Sequence, residues 1–390
     1  MLRAQPKAVR VLQFFLLVLA RLGVVQVLQL SKKGRLTQFV ERVEPSIRRK
    51  LIRFKWFPPV LLVVNPTDSP NIAVEEYFAS QVVFVTLRSS GLLAEAMRAK
   101  IQELTSATRR PFQFLKRPGS PWGMSPSVRR RDDWTHETNA LLEQMQVTPG
   151  KPIVLLAVRD ATYYRALCMQ RGEAAGPETT PDTFIRNPNL ETYSVAIAQL
   201  QAHGYIVVYF GFPTSPLPPS LIGKVVDYSG QFRSPRGDLL LGRYCRMLST
   251  GGSGTWAFAS LFNRPVAYSN TYLPFVGGVH RRDRIMPQLM FSQEKQRLLS
   301  FREMVDSKWE YTFESNCKRD GITLVKNSPE EIAELVLETL YRDSGSFVET
   351  SEDKVFAARF SKIQALSPLP RERHGAIATT FLRRHAQLLE

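Results

Sequence analysis

The sequence predicts an α/β protein built from two parallel-sheet domains. Three observations predict it. Short β-branched runs alternate with amphipathic stretches in two separate series. The segment Thr148-Pro-Gly-Lys-Pro152 divides the two series. A tight cluster, Thr250-Gly251-Gly252-Ser253-Gly254-Thr255, falls between a strand and a helix of the second series. The chain has 390 residues, enough for two cores, and is 44% hydrophobic and 22% charged, which makes order the default expectation.

In the first series, residues 60–65 and 81–87 read as strands, with a helical turn or two over 73–80 between them. A longer amphipathic helix over 91–105 follows, with Leu92, Leu93, Ala96, Ile101 and Leu104 on its apolar side. Residues 109–133 break the alternation with Pro111, Pro118, Pro121 and Pro126 and the run Arg129-Arg130-Arg131-Asp132-Asp133, a long and therefore functional or mobile loop. A helix over 135–146 precedes the dividing segment.

The second series opens with a buried strand at 153–158. A helix over 190–202 stops at His203-Gly204, and a strand over 205–210 follows. A short strand at 224–227, a helix at 238–246 and a strand ending at 250 lead into the glycine cluster. A helix at 255–262 and strands at 265–268 and 321–325 complete the sheet. Ser328-Pro329-Glu330-Glu331 has the pattern of a helix start, with serine as cap, proline first and glutamate third. A last helix over 371–388 is expected to pack back across the first domain. The domain boundaries that follow are an N-terminal segment at 1–56, a first domain at 57–148, a second at 149–345 and C-terminal helices at 346–390.

The net charge of +17 is concentrated near the start: residues 1–60 hold 13 Lys and Arg against 2 Asp and Glu, a net of +11. The same stretch is apolar over 9–30, with an uninterrupted core at 14–20. Arg10, Gln13, Arg21, Gln26 and Gln29 interrupt it too often for a spanning helix. The reading is one or two helices lying on an anionic membrane surface, reinforced by Lys32, Lys33, Arg35, Arg48, Arg49 and Lys50, so residues 1–55 are the membrane partner. A signal peptide ending near Val18-Leu19-Ala20 and a first helix packed on the soluble body are the competing readings. No nucleic-acid module signature is present, so nucleic acid is not an expected partner. Cys168, Cys245 and Cys317 are odd in number and far apart, which argues for reduced thiols and against a disulfide framework or zinc site.

Ligands of an open parallel sheet bind at the carboxyl ends of its strands. Those ends carry Arg159 and Asp160, then Gly211, then Asp227, then Gly251 to Gly254, then Ser269 and Asn270. The glycine cluster has the form of an anion cradle: a turn close to a ligand, amides of the next helix aimed at it, and the hydroxyls of Ser253 and Thr255. A helix-start turn without ligand is the alternative. Arg159 either meets a phosphate or pairs with Asp160 or a loop carbonyl. Arg186 is free to reach a phosphate, Asn187 is either a ligand group or a helix cap, and Asn189 has the position of that cap. His136 and His280 stand alone, as structural histidines do.

Val158-Arg159-Asp160, Phe184-Ile-Arg-Asn187, Tyr193, His203-Gly204-Tyr205, Gly211, Val226-Asp227-Tyr228, Ser253-Gly254 and Phe262-Asn-Arg-Pro265 follow one another in an order that resembles bacterial glycosyltransferases of surface-polysaccharide loci, over about residues 151–340. The resemblance implies a GT-B-like fold: two Rossmann-like domains facing across a cleft, behind the apolar and basic N-terminal helical segment. It implies a sugar-nucleotide donor on the second domain and a glycan or lipid-linked acceptor on the first. The donor-binding candidates are Arg159, Arg186, Asn187, Gly211, Asp227, Gly252, Ser253, Gly254, Thr255 and Asn270. Many transferases of this fold hold the ribose with a Glu soon after the glycine turn; here Thr255-Trp256-Ala257-Phe258 stands instead. No Asp-x-Asp motif occurs, so neither metal nor organic cofactor is expected. The base that activates the acceptor is unassigned among Asp68, Asp160 and Glu76. The implied place is the cytoplasm, at the inner face of the cell membrane. A sugar-nucleotide 2-epimerase and a non-catalytic membrane-attached binding protein are the alternative functions.

Overall fold

In the computed structural model, the described residues are 18, 25–29, 36–37, 39–53, 60–65, 71–86, 134–159, 169, 187–212, 217–271, 280–306, 314–366 and 375–390. Asp68, Asp160, Arg186, Cys168, the expected helix at 91–105 and the loop at 109–133 lie outside them. The chain divides into two compact units, Met1–Asp132 and Asp133–Glu390.

The first unit holds a three-stranded parallel sheet: β1 (Val25–Gln29), β2 (Val60–Asn65) and β3 (Val82–Thr86), in that order. Val25–Gln29 therefore departs from the expected membrane-surface helix. Its alternating Val-Gln-Val-Leu-Gln pairs from Val25 opposite Val60, which gives its amides a ladder that an interfacial strand would lack. Helix α1 (Glu44–Arg53) follows a π-helical turn at Phe39–Val43. Arg48, expected to face lipid headgroups, is fully buried and donates from Nε to Glu44 at 2.6 Å. A guanidinium held inside a fold needs such a carboxylate, and the pair takes that charge away from any surface. Helix α2 (Ile72–Phe78) is capped by Asn71, whose side chain accepts from the Val74 amide. Among the described residues no helix is long and apolar enough to cross a membrane.

The second unit is organised by a seven-stranded parallel sheet. Its strands are β4 (Ile153–Val158), β5 (Ile206–Tyr209), β6 (Val226–Asp227), β7 (Met247–Gly251), β8 (Val266–Thr271) and β9 (Arg284–Pro287), with Ala376–Ile377 as the last. A separate three-stranded antiparallel sheet lies between β9 and Ala376 in sequence: β10 (Leu289–Ser292), β11 (Arg297–Leu298) and β12 (Ile322–Val325), so Ala376–Ile377 is β13. The order across the large sheet is β13-β9-β8-β7-β4-β5-β6. The chain starts in the middle at β4, winds outward through β5 to β6, and returns to the other side of β4 to wind out through β7, β8 and β9. This is the doubly wound Rossmann-like order, with its reversal between β4 and β7.

Burial explains why these segments are strands of that sheet. Every residue of β4, β7 and β8 is buried, as expected of strands covered on both faces. β12 differs: only Ile322 is buried, while Thr323 and Val325 are exposed. That half-covered pattern suits an antiparallel sheet with one wet face, and 321–325 pairs there instead of in the parallel sheet that its sequence predicts.

Helix α3 (Thr135–Gln144) belongs to the second unit, so the division falls before it and not at 148. Trp134 holds it there. The guanidinium of Arg236 lies 4.1 Å from the centre of its indole and that of Arg243 5.0 Å, with Phe262 edge-on at 5.8 Å. The segment 148–152 is fastened by Tyr244, whose hydroxyl accepts from the Gly150 amide and donates to the Lys151 carbonyl.

Helix α4 (Ser194–Ala202) connects β4 to β5, and α5 (Pro235–Tyr244) and α6 (Trp256–Leu261) flank β7 in sequence. Two short helices, α7 (Phe301–Asp306) and α8 (Glu314–Arg319), come before α9 (Pro329–Ser344). The expected start of α9 is present in full: Ser328 accepts from the Glu331 amide while the Glu331 carboxylate accepts from the Ser328 amide. Ile332, Leu335, Val336 and Leu340 form its buried stripe, against α4, β8 and β9.

The C-terminal residues close on this same unit. After α10 (Ser351–Gln364), β13 extends the sheet beside β9 and α11 (Thr379–Arg384) packs on α9 and α10. A single helix over 371–388 is thus replaced by a strand and two short helical pieces. The cause is Glu338 of α9. Its buried carboxylate accepts from the amides of Thr379 and Thr380 and from Arg342, fixing the start of α11 at that point.

Candidate functional site

The reversal between β4 and β7 opens the crevice where open α/β sheets bind ligands. Arg159 follows β4 and the glycine cluster follows β7. The two meet: the Arg159 amide donates to the Gly251 carbonyl at 3.0 Å, and Val158 bridges to Gly252. Arg159 and the glycine cluster thus share one sheet edge; Arg186, expected there too, lies outside the described residues.

Packing dictates the glycines. A Cβ on Gly251 would stand 2.3 Å from the Tyr193 hydroxyl and 2.5 Å from Pro188 Cγ. Gly252 has φ +74°, a left-handed conformation that a side chain resists. Tyr193 is fully buried and its hydroxyl meets Ser269 Oγ at 2.6 Å, and Ser269 Oγ donates onward to the Thr250 carbonyl at 3.2 Å. Burial pushes the Tyr193 phenol up to about 12, against the hydrogen bonds from Ser269 and Asn270, so it works as a neutral hydroxyl. Thr250 Oγ1 in turn donates to the Ala157 carbonyl at 2.8 Å, tying β7 to β4.

Part of the expected amide cradle is turned inward. The Ser253 amide is turned inward, to Thr250 Oγ1 at 3.2 Å. The amides of Ala257 and Phe258 donate to the carbonyls of Gly254 and Thr255 in tight three-residue steps. Helix α6 is only six residues long. These three amides are used inside the turn, which also carries two hydroxyls. Ser253 Oγ and Thr255 Oγ1 stand 2.9 Å apart, both half-buried, beside the exposed Gly254.

The other described candidates lie on the neighbouring loops and strand ends. Asn187 is half-buried on the loop whose Pro188 presses on Gly251, and its carbonyl accepts from Lys326 Nζ at 3.0 Å. Asn189 is the cap that its position suggested, accepting from the Glu191 amide at 3.0 Å. Gly211 follows β5, and its carbonyl accepts from Arg233 Nη1. Arg233 also lies 4.4 Å from the Phe212 ring centre and pairs with Asp238 at 3.3 Å. Asp227 ends β6 and holds the following helical turn, accepting from the Gly230 amide and the Ser229 hydroxyl, both at 3.0 Å.

Asn270 is inside β8 and only 2% exposed. Its amide donates to Asn327 Oδ1 at 2.6 Å and its Oδ1 accepts from the Asn327 amide at 2.9 Å. Asn327 Nδ2 also donates to the Pro287 carbonyl. With φ +52°, Asn270 holds a conformation uncommon outside glycine, fixed by this reciprocal pair. The pair pins the stretch after β12 to the binding edge of the main sheet.

Lys326 and Arg233 were not among the residues the sequence singled out. Lys326 sits at a strand end like the others, but at the end of β12, which no local pattern aligns with this edge. Glu76, on α2 of the first unit, is exposed. His280 is structural, buried with its amide donating to Asp283 and its ring at the Ser260 carbonyl. Cys245 and Cys317 are buried. Among the described residues no three His, Cys, Asp or Glu side chains gather to hold a metal.

No family model matches the chain, and no curated protein matches it. Solved structures do. ADP-heptose lipopolysaccharide heptosyltransferase II of E. coli is similar at 12% identity and a TM-score of 0.45, over 82% of this chain and 99% of that one. A family 9 glycosyl transferase of Veillonella parvula is similar at 12% identity and a TM-score of 0.48, over 82% of this chain and 97% of that one. The iron-containing dodecameric glycosyltransferase TibC of enterotoxigenic E. coli aligns at 15% identity and a TM-score of 0.34, over 64% and 58%.

Proposed function

We propose that this chain is a glycosyltransferase that moves a sugar from a nucleoside-diphosphate sugar to an acceptor hydroxyl, in the making of a cell-surface polysaccharide or glycolipid. One observation carries the reading. The reversal point of a doubly wound sheet presents Arg159 and the glycine turn side by side, joined through the Gly251 carbonyl. The order of motifs from Val158 to Pro265 supports the same class.

In this reading the acceptor oxygen attacks the anomeric carbon, and the bond from that carbon to the diphosphate oxygen breaks. Negative charge grows on the leaving diphosphate. Arg159 and the hydroxyls of Ser253 and Thr255 answer that charge, and Arg186 is a further candidate. The acceptor proton goes to a base, with Asp68, Asp160 and Glu76 as candidates. Gly211 and Asp227, at the ends of β5 and β6, suit the nucleoside side of the donor. The basic first 60 residues support attachment to an anionic membrane surface, where a lipid-linked acceptor would lie.

The test is nucleotide release. The purified chain is incubated with a panel of UDP-, ADP-, GDP- and CDP-sugars, with and without a bacterial glycolipid extract. Release that depends on the extract is the expected result. Isomerisation of the sugar without release, or binding with no turnover on any acceptor fraction, would overturn it. Co-sedimentation with phosphatidylglycerol vesicles, lost in high salt, tests the membrane attachment.

A further inference from the structure

The crevice needs more positive charge than the sequence assigned to it. A diphosphate carries two or more negative charges, and three of the turn's amides are committed: Ser253 to Thr250, and Ala257 and Phe258 to carbonyls of their own turn. At the start of the long helix α9, the Ser328 and Glu331 capping box uses the amides of both residues. Side-chain charge is the further source.

Lys326 supplies it from an unexpected direction. It lies between β12 and α9, far in sequence from both β4 and β7. The Asn270–Asn327 pair, buried at 2% and 4% exposure, locks the adjoining residue onto the edge of the main sheet. Lys326 Nζ then reaches the Asn187 carbonyl at 3.0 Å. The next residue, Pro188, is in contact with Gly251. The ammonium is therefore anchored one residue from the wall of the glycine turn, while Arg159 is anchored to the same Gly251 from the β4 side.

Lys326 is exposed, and among the described residues it has no carboxylate at ion-pair distance. Glu331 of α9 is taken by the Ser328 amide and by His385 at 2.6 Å. A lysine placed by a buried lock, held by one neutral carbonyl and left with ammonium protons to give, is built to meet an anion.

We propose that Lys326 is a second cation of the donor site, contacting the diphosphate of a nucleoside-diphosphate ligand from the side opposite Arg159. This rests on the reading of the crevice given above. It assigns the diphosphate, and not the nucleoside, to the space between the glycine turn and the loop at 187–189.

The experiment is calorimetric titration of the full chain. UDP, ADP, GDP and CDP are screened first; the nucleotide that binds is then compared as diphosphate, monophosphate and free nucleoside. Lys326→Ala and Lys326→Gln should weaken the diphosphate roughly 10- to 100-fold, the scale of a charge-assisted hydrogen bond, and leave the nucleoside unchanged. Lys326→Arg should restore most of the affinity, and thermal melts of all three variants should match the wild type. Unchanged diphosphate affinity in Lys326→Ala would overturn the proposal, as would an equal loss of diphosphate and nucleoside, which would mean that Lys326 only shapes the loop. If the wild-type chain binds none of the four diphosphates, the donor-site reading itself fails and this proposal with it.

Discussion

The Arg159 amide donates to the Gly251 carbonyl across 3.0 Å, joining the two strand ends that face the sheet's reversal point. The bond fixes where the arginine's backbone stands relative to the turn, and the proposed donor site uses the side chains of Arg159 and Ser253 from these two strand ends. Arg159→Ala and Ser253→Ala should each keep the fold, since neither residue belongs to the buried core, and each should weaken donor binding. The loss should be about 1.5–3 kcal/mol for the charged partner and about 1 kcal/mol for the hydroxyl. Titration with a nucleoside diphosphate measures both. Unchanged affinity in both variants would remove the donor from this crevice.

Gly251→Ala separates packing from chemistry. The new methyl would meet the Tyr193 hydroxyl at 2.3 Å and Pro188 at 2.5 Å, and neither is the loose end of a flexible chain. Overpacking of this kind costs about 1–3 kcal/mol. Urea unfolding should show that loss, and donor affinity should fall as well because the wall of the turn moves. Gly254→Ala is the control: Gly254 is exposed and has no positive φ, so its stability should change by less than about 0.5 kcal/mol.

The strands and the chief turn were legible because central parallel strands write themselves as unbroken apolar runs. Residues 153–158 are such a run, and all six are buried. The capping pattern at Ser328 and the cap at Asn189 were legible for an equally local reason: each is decided within four residues. Long-range partners were not. Val25–Gln29 has no helix-or-strand preference strong enough to reveal that β2 lies beside it. Arg48 reads as a surface cation until Glu44 is seen buried with it. β12 has the composition of its neighbours, and only its one-sided burial assigns it to another sheet. The contribution of Lys326 to the crevice depends on the Asn270–Asn327 pair, formed across 57 positions of sequence, which no local pattern announces.

That pair makes its own prediction. Asn327→Ala removes the acceptor for the Asn270 amide and the donor to the Pro287 carbonyl, leaving both buried groups unmet. Each orphaned group costs about 1–3 kcal/mol. Asn327→Asp should be milder at the Asn270 amide and worse at Pro287, since a carboxylate accepts but does not donate. Denaturant midpoints rank the three proteins, and Asn327→Ala equal to wild type would mean that the pair is not what holds the stretch after β12.

The last prediction concerns acid. Arg383 donates to the Asp353 carboxylate from Nε at 2.6 Å and from Nη2 at 2.5 Å, and the Thr350 amide donates to it at 2.7 Å. The Arg383 hydrogen bonds, opposed by burial and helped by Thr350, hold the Asp353 carboxyl well below the usual carboxylate range. Unfolding releases it to an ordinary value near ~3.9. The unfolded chain therefore takes up this proton first as pH falls. The stabilisation by Asp353 is complete above the unfolded-state value and is lost as pH drops through the folded-state one. Asp353→Asn should thus be less stable than wild type at neutral pH, and the gap should narrow steadily below about pH 4. Urea unfolding of both proteins at pH 7, 5 and 3 measures it. Because Arg383 is 42% exposed, solvent screens the pair, and high salt should narrow the neutral-pH gap in the same direction. A gap that stays constant from pH 7 to pH 3 would mean that Asp353 contributes as the capping-box partner of Thr350 through its shape alone, without its charge.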